Sequence, residues 1–275
     1  MWCWGAERVD PVVSALFVYP VKSCRGIAVD RAEVEAQGLR HDRRWLIVDE
    51  ARKHVTQREE PRLARVDVAI DEEGGALVLS APGHGALHLP LAPAEGATTR
   101  VQVWRDEVDA LCGGDEASRW VSAFLGARAS LVFMPDDVVR PVRPDFAKAG
   151  DRVSFADAFP LLVVTAPSLD DLNARLDRPL PMDRFRPNVV VDGCPPWAED
   201  RWRRARVGPV PLRLPKPCDR CVVTTTDQRT GERGIEPLRT LATFRQIEGK
   251  VYFGVNAAPD ALGWIAVGDR VTVLE

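Results

Sequence analysis

Short apolar runs with a side-chain period of two recur along this chain of 275 residues, and they limit it to a mainly β fold. Ala15–Tyr19 is one such run, ending at Pro20, and Trp45–Val48 is another, stopped by Asp49 and Glu50. Val66, Val68 and Ile70 alternate with Asp67 and Ala69. The turn Asp71-Glu-Glu-Gly-Gly75 then leads into Ala76–Leu79, which predicts a hairpin. Val101 and Val103 repeat the alternation, and Phe159–Thr165 and Asn188–Val191 read as buried strands. Helical spacing is confined to three places. One follows Asp115, with Trp120, Val121, Phe124 and Leu125 on one face and Gly126 as its stop. A second carries Leu169, Leu172 and Leu176, with Ser168 expected as its N-cap and Asp171 at the capping-box position. The third opens at Pro237, with Leu238, Leu241 and Phe244. Val222–Thr226, rich in β-branched residues, is expected to be a strand. Gly150–Phe155 and Gly268–Val273 share a turn-then-strand pattern. The expectation is a mainly β (α+β) protein: a β-barrel-like N-terminal domain over 12–133 and a second β-barrel domain over 134–275. The Pro-, Asp- and Arg-rich segment Met134–Gly150 would form the linker.

Charge and composition remove several function classes. With 37 Lys+Arg against 40 Asp+Glu, the net charge is −3, and 45% of residues are hydrophobic. Global disorder and a nucleic-acid-coating role are both excluded on those grounds. The basic run Arg201–Arg206 alternates Arg204 and Arg206 with Ala205 and Val207, as a solvated strand face does. Docking of an acidic electron carrier is a secondary reading of it, and nucleic-acid binding a remote third. The longest apolar stretch, Phe159–Ala166, has eight residues, far short of the roughly 20 a membrane span needs. Met1–Arg8 lacks the basic-then-apolar order of a signal peptide. Six cysteines are too sparse for a disulfide scaffold in a chain this long, so a cytoplasmic protein with reduced thiols is expected.

Four polar clusters could carry chemistry. Lys216-Pro-Cys218-Asp-Arg-Cys221 contains a Cys-x-x-Cys pair. A zinc site would need two more ligands, and the four histidines (41, 54, 84 and 88) all lie in the first third of the chain. A thioredoxin-like pair needs its first cysteine at a helix start, where a strand is expected here. What remains is a single thiolate acting as nucleophile or soft-metal ligand, or simply two structural cysteines. Tyr19-Pro-Val-Lys22-Ser23-Cys24 places an ammonium and a hydroxyl just past a strand end. Asp42-Arg43-Arg44-Trp45 adds guanidinium forks suited to phosphate. Arg184-Phe-Arg186-Pro-Asn188 brings an amide that can both donate to and accept from a heterocycle edge.

Together these segments resemble the MOSC family, in the branch of the mitochondrial amidoxime-reducing components. The matching segments are 19–24, 42–45, 185–188, 218–227 and Phe253-Gly-Val-Asn256, in the family's order from about residue 12 onward. The resemblance implies an N-terminal MOSC β-barrel domain followed by the MOSC domain, with a molybdenum cofactor (Mo-molybdopterin) between them. It places the metal ligand and catalytic position on Cys221, the cofactor phosphate on Lys22, Ser23 and Arg43, and pterin contacts on Arg186 and Asn188. Asp219 and Arg220 would adjoin the ligand, and Asn256 would lie near the metal. Cys194 matches a recurrent family cysteine of no assigned role. Ala158 and Phe159 stand where relatives often carry small hydroxyl residues, so only backbone contacts are expected there. The implied activity is reduction of N-hydroxylated or N-oxide-type substrates. The sequence ends at Glu275 without a ferredoxin-type cysteine set, so electrons are expected from a separate ferredoxin-, flavodoxin- or cytochrome-like protein. The proton donor would be solvent, Asp227 or a metal-bound oxygen. A cofactor carrier without turnover is the alternative. The family also bears a label of pyridoxal phosphate binding.

Overall fold

The computed structural model describes residues 10–275. Reading of the Met1–Arg8 start therefore lies outside the described residues. Ten strands come first: β1 (Val12–Val18), β2 (Ile27–Val29), β3 (Arg31–Glu35), β4 (Gly38–Leu39), β5 (Trp45–Asp49), β6 (Asp67–Asp71), β7 (Ala76–Ala81), β8 (His84–Pro90), β9 (Thr98–Val103) and β10 (Asp106–Cys112). Helix α1 (Gly114–Leu125) follows, then β11 (Ala129–Phe133), β12 (Leu161–Thr165), α2 (Ala166–Asn173) and β13 (Val189–Asp192). The remainder is β14 (Arg204–Val207), β15 (Val210–Asp219), α3 (Leu238–Ala242), β16 (Gln246–Ile247), β17 (Lys250–Pro259), β18 (Gly263–Ala266) and β19 (Val271–Val273). The mainly β expectation holds, with three α-helices among the described residues.

Four sheets organise these strands. The largest runs β19-β14-β15-β17-β12-β13-β1-β2, with β16 on β17. The others are β5-β11-β10-β9, β18-β3-β4 and β6-β7-β8. Among the described residues none closes into a complete barrel. β12 and β13 form a parallel pair whose crossover carries α2, and every other strand pair is antiparallel. The sheets interlock the two ends of the sequence. β1 sits between β13 and β2, pairing Leu16 with Val189, and β18 pairs with β3, Trp264 opposite Glu33. One core therefore draws on both ends, burying Val13, Leu16 and Val34 against Leu161, Val189, Leu212 and Ile265. A second core under α1 packs Trp45, Leu63, Leu79 and Phe133 with Val121 and Phe124.

Local expectations fare unevenly. The β6–β7 hairpin, α1 with its left-handed Gly126 stop, and the β14 alternation of exposed Arg204 and Arg206 with buried Ala205 and Val207 all form. Val222–Thr226 does not form a strand. Val222–Thr225 is a 3-10 turn, because Thr224 Oγ1 donates to the Cys221 carbonyl (2.9 Å) and Thr225 Oγ1 to that of Val222 (2.8 Å). Such local bonds offset β-branched propensity. The α2 N-cap is Thr165, whose hydroxyl accepts from Ser168 N. β12 runs into the helix without a loop, with Pro167 in the first turn, so Ser168 already lies inside it, and Leu176 lies past its end. Gly150–Phe155 forms no strand, whereas Gly268–Val273 ends in β19. The second hexapeptide meets β14 as a partner; the first makes only a single bridge, Arg152 to Pro141.

Candidate functional site

Cys221 lies at the end of β15's approach, half-buried and just before the 3-10 turn. Register shifts in the β15–β17 pairing fall between Arg213 and Lys216 and between Pro217 and Asp219. Irregularities of this kind re-aim side chains next to functional sites. Lys216 is the register partner of Asn256, whose Nδ2 donates to the Pro217 carbonyl at 3.3 Å. Asn256 thus holds the strand that delivers the Cys-x-x-Cys segment. Arg220 donates to Cys218 Sγ (3.0 Å) and to the Phe185 carbonyl (2.6 Å), tying that segment to the turn that bears Arg186. Asp219 is exposed, 3.4 Å from Lys216 Nζ. Burial, only partly countered by Arg220, pushes the Cys218 thiol up. Cys24 is fully buried, and its thiol is pushed up to about 12, which suits a core role.

Residues from the first third of the chain face this segment. Arg58 Nη2 donates to Cys221 Sγ at 3.2 Å across 163 positions of sequence. The same guanidinium stacks 4.4 Å from the Trp104 ring centroid and lies 3.5 Å from Asp157 Oδ2. Asp157 in turn accepts from Trp104 Nε1 (3.3 Å) and pairs with Lys22, whose ammonium also donates to the Phe155 carbonyl at 2.8 Å. Asp157 is itself exposed; crowding by its neighbours would raise its carboxyl, but Lys22 and Arg58 outweigh that and hold it well below the usual carboxylate range. Burial pushes Lys22 down to about 8 despite that partner. Three contacts, through Arg58 and Asp157, therefore connect the sulfur of Cys221 to the ammonium of Lys22.

A second wall lies around Tyr19. The Arg43 and Arg186 guanidinium carbons sit 4.4 and 4.3 Å from its ring centroid. Arg43 pairs with buried Asp42 and donates to Asn188 Oδ1 (3.3 Å) and the Arg186 carbonyl (3.2 Å). Arg186 reaches Gln228 Oε1 at 3.4 Å, and Gln228 and Gln57 exchange two hydrogen bonds of 3.0 Å, which leads back to the residue before Arg58. Ser23, Arg43 and Arg186 all have positive φ (70°, 50° and 54°). A non-glycine residue held there costs on the order of 1 kcal/mol or more, and such strain concentrates at functional sites.

The residues read from the sequence therefore converge from five separated segments, although Asn188 serves the frame. It is 1% exposed; its amide donates to the Phe17 carbonyl (3.2 Å) and accepts from Leu162 N (3.2 Å), joining β1 to β12. Asp227 does not fit a proton donor. Burial opposes ionisation, but backbone N–H groups of Arg229 and Thr230 and the Arg184 guanidinium outweigh it and hold the carboxyl below its ordinary value. Arg58, Asp157, Trp104, Gln57 and Gln228 escaped the sequence reading. None sits in a short pattern of its own, and only the fold brings them to Cys221.

The donor set has the chemistry a molybdopterin requires. Among the described residues Lys22, Arg43, Arg58 and Arg186 are paired directly with two carboxylates, Asp42 and Asp157, which leaves surplus positive charge for an anionic phosphate. Buried Arg186 Nη2 and Arg220 Nε have no hydrogen-bond partner among the described residues. Such orphaned donors are costly unless an acceptor is supplied. Burial pushes the Arg186 guanidinium down to about 10, and an anion beside it would reverse that. Ser23 is 9% exposed on the same Lys22-bearing loop, and a thiolate is the soft ligand that molybdenum takes.

Comparison with known proteins decides the family. Residues 10–128 match the MOSC N-terminal beta barrel domain, and residues 150–272 match the MOSC domain. The chain belongs to the MOSC family. It is 36% identical to mitochondrial amidoxime-reducing component 1 of Homo sapiens over 280 residues, covering 95% of this chain and 82% of the relative. Mitochondrial amidoxime reducing component 2 of Homo sapiens is 35% identical over 292 residues, with 98% and 86% covered. Component 1 of Danio rerio is 37% identical over 251 residues, with 87% and 76% covered. These relatives lend no support to the pyridoxal phosphate label. Among the described residues no helix of this MOSC protein is long and apolar enough to cross a membrane.

Proposed function

We propose that this protein is a molybdenum-cofactor-dependent oxidoreductase that reduces N-hydroxylated or N-oxide-type compounds with electrons from a separate donor protein. The observation that carries the reading is the convergence of the half-buried Cys221 sulfur with Lys22, Arg43, Arg58 and Arg186. The names and coverage of the amidoxime-reducing relatives support the reaction class.

In this reading Cys221 provides the protein's ligand to the metal, and Lys22, Ser23 and Arg43 hold the phosphate. Arg186 and Arg220 orient the pterin through the N–H groups that otherwise lack partners. The bound cofactor supplies the two-electron chemistry that cleaves an N–O bond. Overall, two electrons and two protons convert the N-hydroxyl group to N–H and release water. Asp227 is held ionised by its own turn, so protons come from solvent at the open side of Cys221. Asn256 and Arg220 keep the ligand segment in place while the substrate binds.

The test is purification from a molybdenum-competent host, elemental analysis, and benzamidoxime reduction with an artificial donor. Stoichiometric molybdenum with turnover, both lost in Cys221→Ser, is expected. Molybdenum without turnover would leave a cofactor carrier instead, and turnover by metal-free protein would overturn the proposal.

A further inference from the structure

The proposed reading gives no role to the hydrogen bond that the Cys221 sulfur accepts. Arg58 comes from the N-terminal half, and its terminal N–H lies 3.2 Å from Cys221 Sγ. Its side chain is fixed from two directions, by the Trp104 ring 4.4 Å below and by Asp157 3.5 Å away. Its backbone is fixed too. Arg58 N donates to Thr56 Oγ1 (3.1 Å), and the Arg233 guanidinium donates to the carbonyls of both Gln57 and Arg58. Gln57 is further clasped by Gln228. Gln228 and Arg233 lie in the loop that follows Cys221. The loop bearing the sulfur thus grips the segment bearing the guanidinium, and their separation is set by the fold.

We propose that Arg58 is a positioning residue for the metal-ligating thiolate, orienting the Cys221 sulfur and withdrawing electron density from it by N–H donation. This inference rests on the reading of Cys221 as metal ligand. Hydrogen bonds to a ligating sulfur, and positive charge beside it, stabilise the electron-rich reduced state and raise the reduction potential. The N-terminal half would then tune a metal bound through the C-terminal half. Trp104 and Asp157 act through Arg58 and touch no ligand atom.

Two measurements test this. In the cofactor-loaded protein, Arg58→Gln is compared with wild type for molybdenum per chain and for midpoint potential by spectroelectrochemical titration. The expected result is a wild-type circular dichroism spectrum with either lost molybdenum or a lower midpoint potential, partly restored in Arg58→Lys. Full molybdenum with an unchanged midpoint in Arg58→Gln would overturn the proposal. In the cofactor-free protein, melting temperatures of Arg58→Gln, Cys221→Ala and the double variant form a cycle. The double variant is expected to lose less than the two single losses together, whereas additive losses would mean the two side chains do not act on each other. If wild type takes up no molybdenum, the proposed function fails while the cycle still decides whether Arg58 and Cys221 are coupled.

Discussion

Glu199 offers a sharp test of the electrostatics that hold this fold. It lies on the 3-10 turn Ala198–Arg201 and is 0% exposed. Its carboxyl oxygens accept from Thr165 Oγ1 and Ser168 Oγ (2.9 Å each) and from Thr165 N (3.4 Å), so it staples the start of α2 to the end of β12. Among the described residues no cation pairs with it. Burial pushes its carboxyl up, and the hydrogen bonds offset only part of that. The folded chain therefore keeps a proton that the unfolded chain releases above about pH 4.3. Stability falls as pH rises from there until the folded-state carboxyl also ionises, by about 1.4 kcal/mol per pH unit. Glu199→Gln has no proton to exchange and lacks that slope. The melting temperature of wild type minus that of Glu199→Gln should fall above pH 4.5, by at most roughly 2–4 °C per pH unit, and level off once the folded-state carboxyl ionises. Calorimetric scans of both proteins at half-unit steps from pH 4.5 to 7 measure this directly. Parallel curves across that range would refute the argument.

Two further outcomes follow from the geometry. Lys22, pushed down to about 8, loses its charge in the folded state while the unfolded lysine keeps it to about pH 10.4. Wild type should thus gain stability relative to Lys22→Met between those values, while cofactor retention on desalting weakens above about pH 8; retention indifferent to pH would count against a phosphate role. At Gly38, with φ +124°, an added Cβ would lie 2.6 Å from the Pro160 carbonyl oxygen, backbone against backbone. Gly38→Ala should cost roughly 2–4 kcal/mol, read as a lowered denaturation midpoint, and an unchanged midpoint would show that the β4 turn can shift.

What the sequence disclosed, and what it hid, divides along the range of the forces involved. The β6–β7 hairpin, α1 and the β14 face are set by periods of two and 3.6 within one segment, so Val66, Val68 and Ile70 or Trp120, Val121 and Phe124 were sufficient signals. Val222–Thr226 misled because intrinsic preference competed with hydroxyl-to-carbonyl bonds that composition does not display. The twin hexapeptides at 150 and 268 diverge for want of a partner strand, a property of the fold and not of either segment. At the candidate site, motif order singled out Cys221, Lys22, Arg43 and Arg186, which the fold brings together. Arg58 meets Cys221 across 163 residues and Asp157 meets Lys22 across 135, where no local pattern could announce them.

The placement of β1 between β13 and β2 bears on how the chain is made. Leu16 leaves the ribosome long before Val189, its neighbour across the sheet, has been synthesised. At ordinary elongation rates that interval is on the order of 10–35 s. Throughout it, one side of the earliest strand stays open to mispairing, a hazard that sheet edges carry in any chain. Translation speed over the first two thirds of the message should therefore govern how much of the newborn polypeptide reaches its native state.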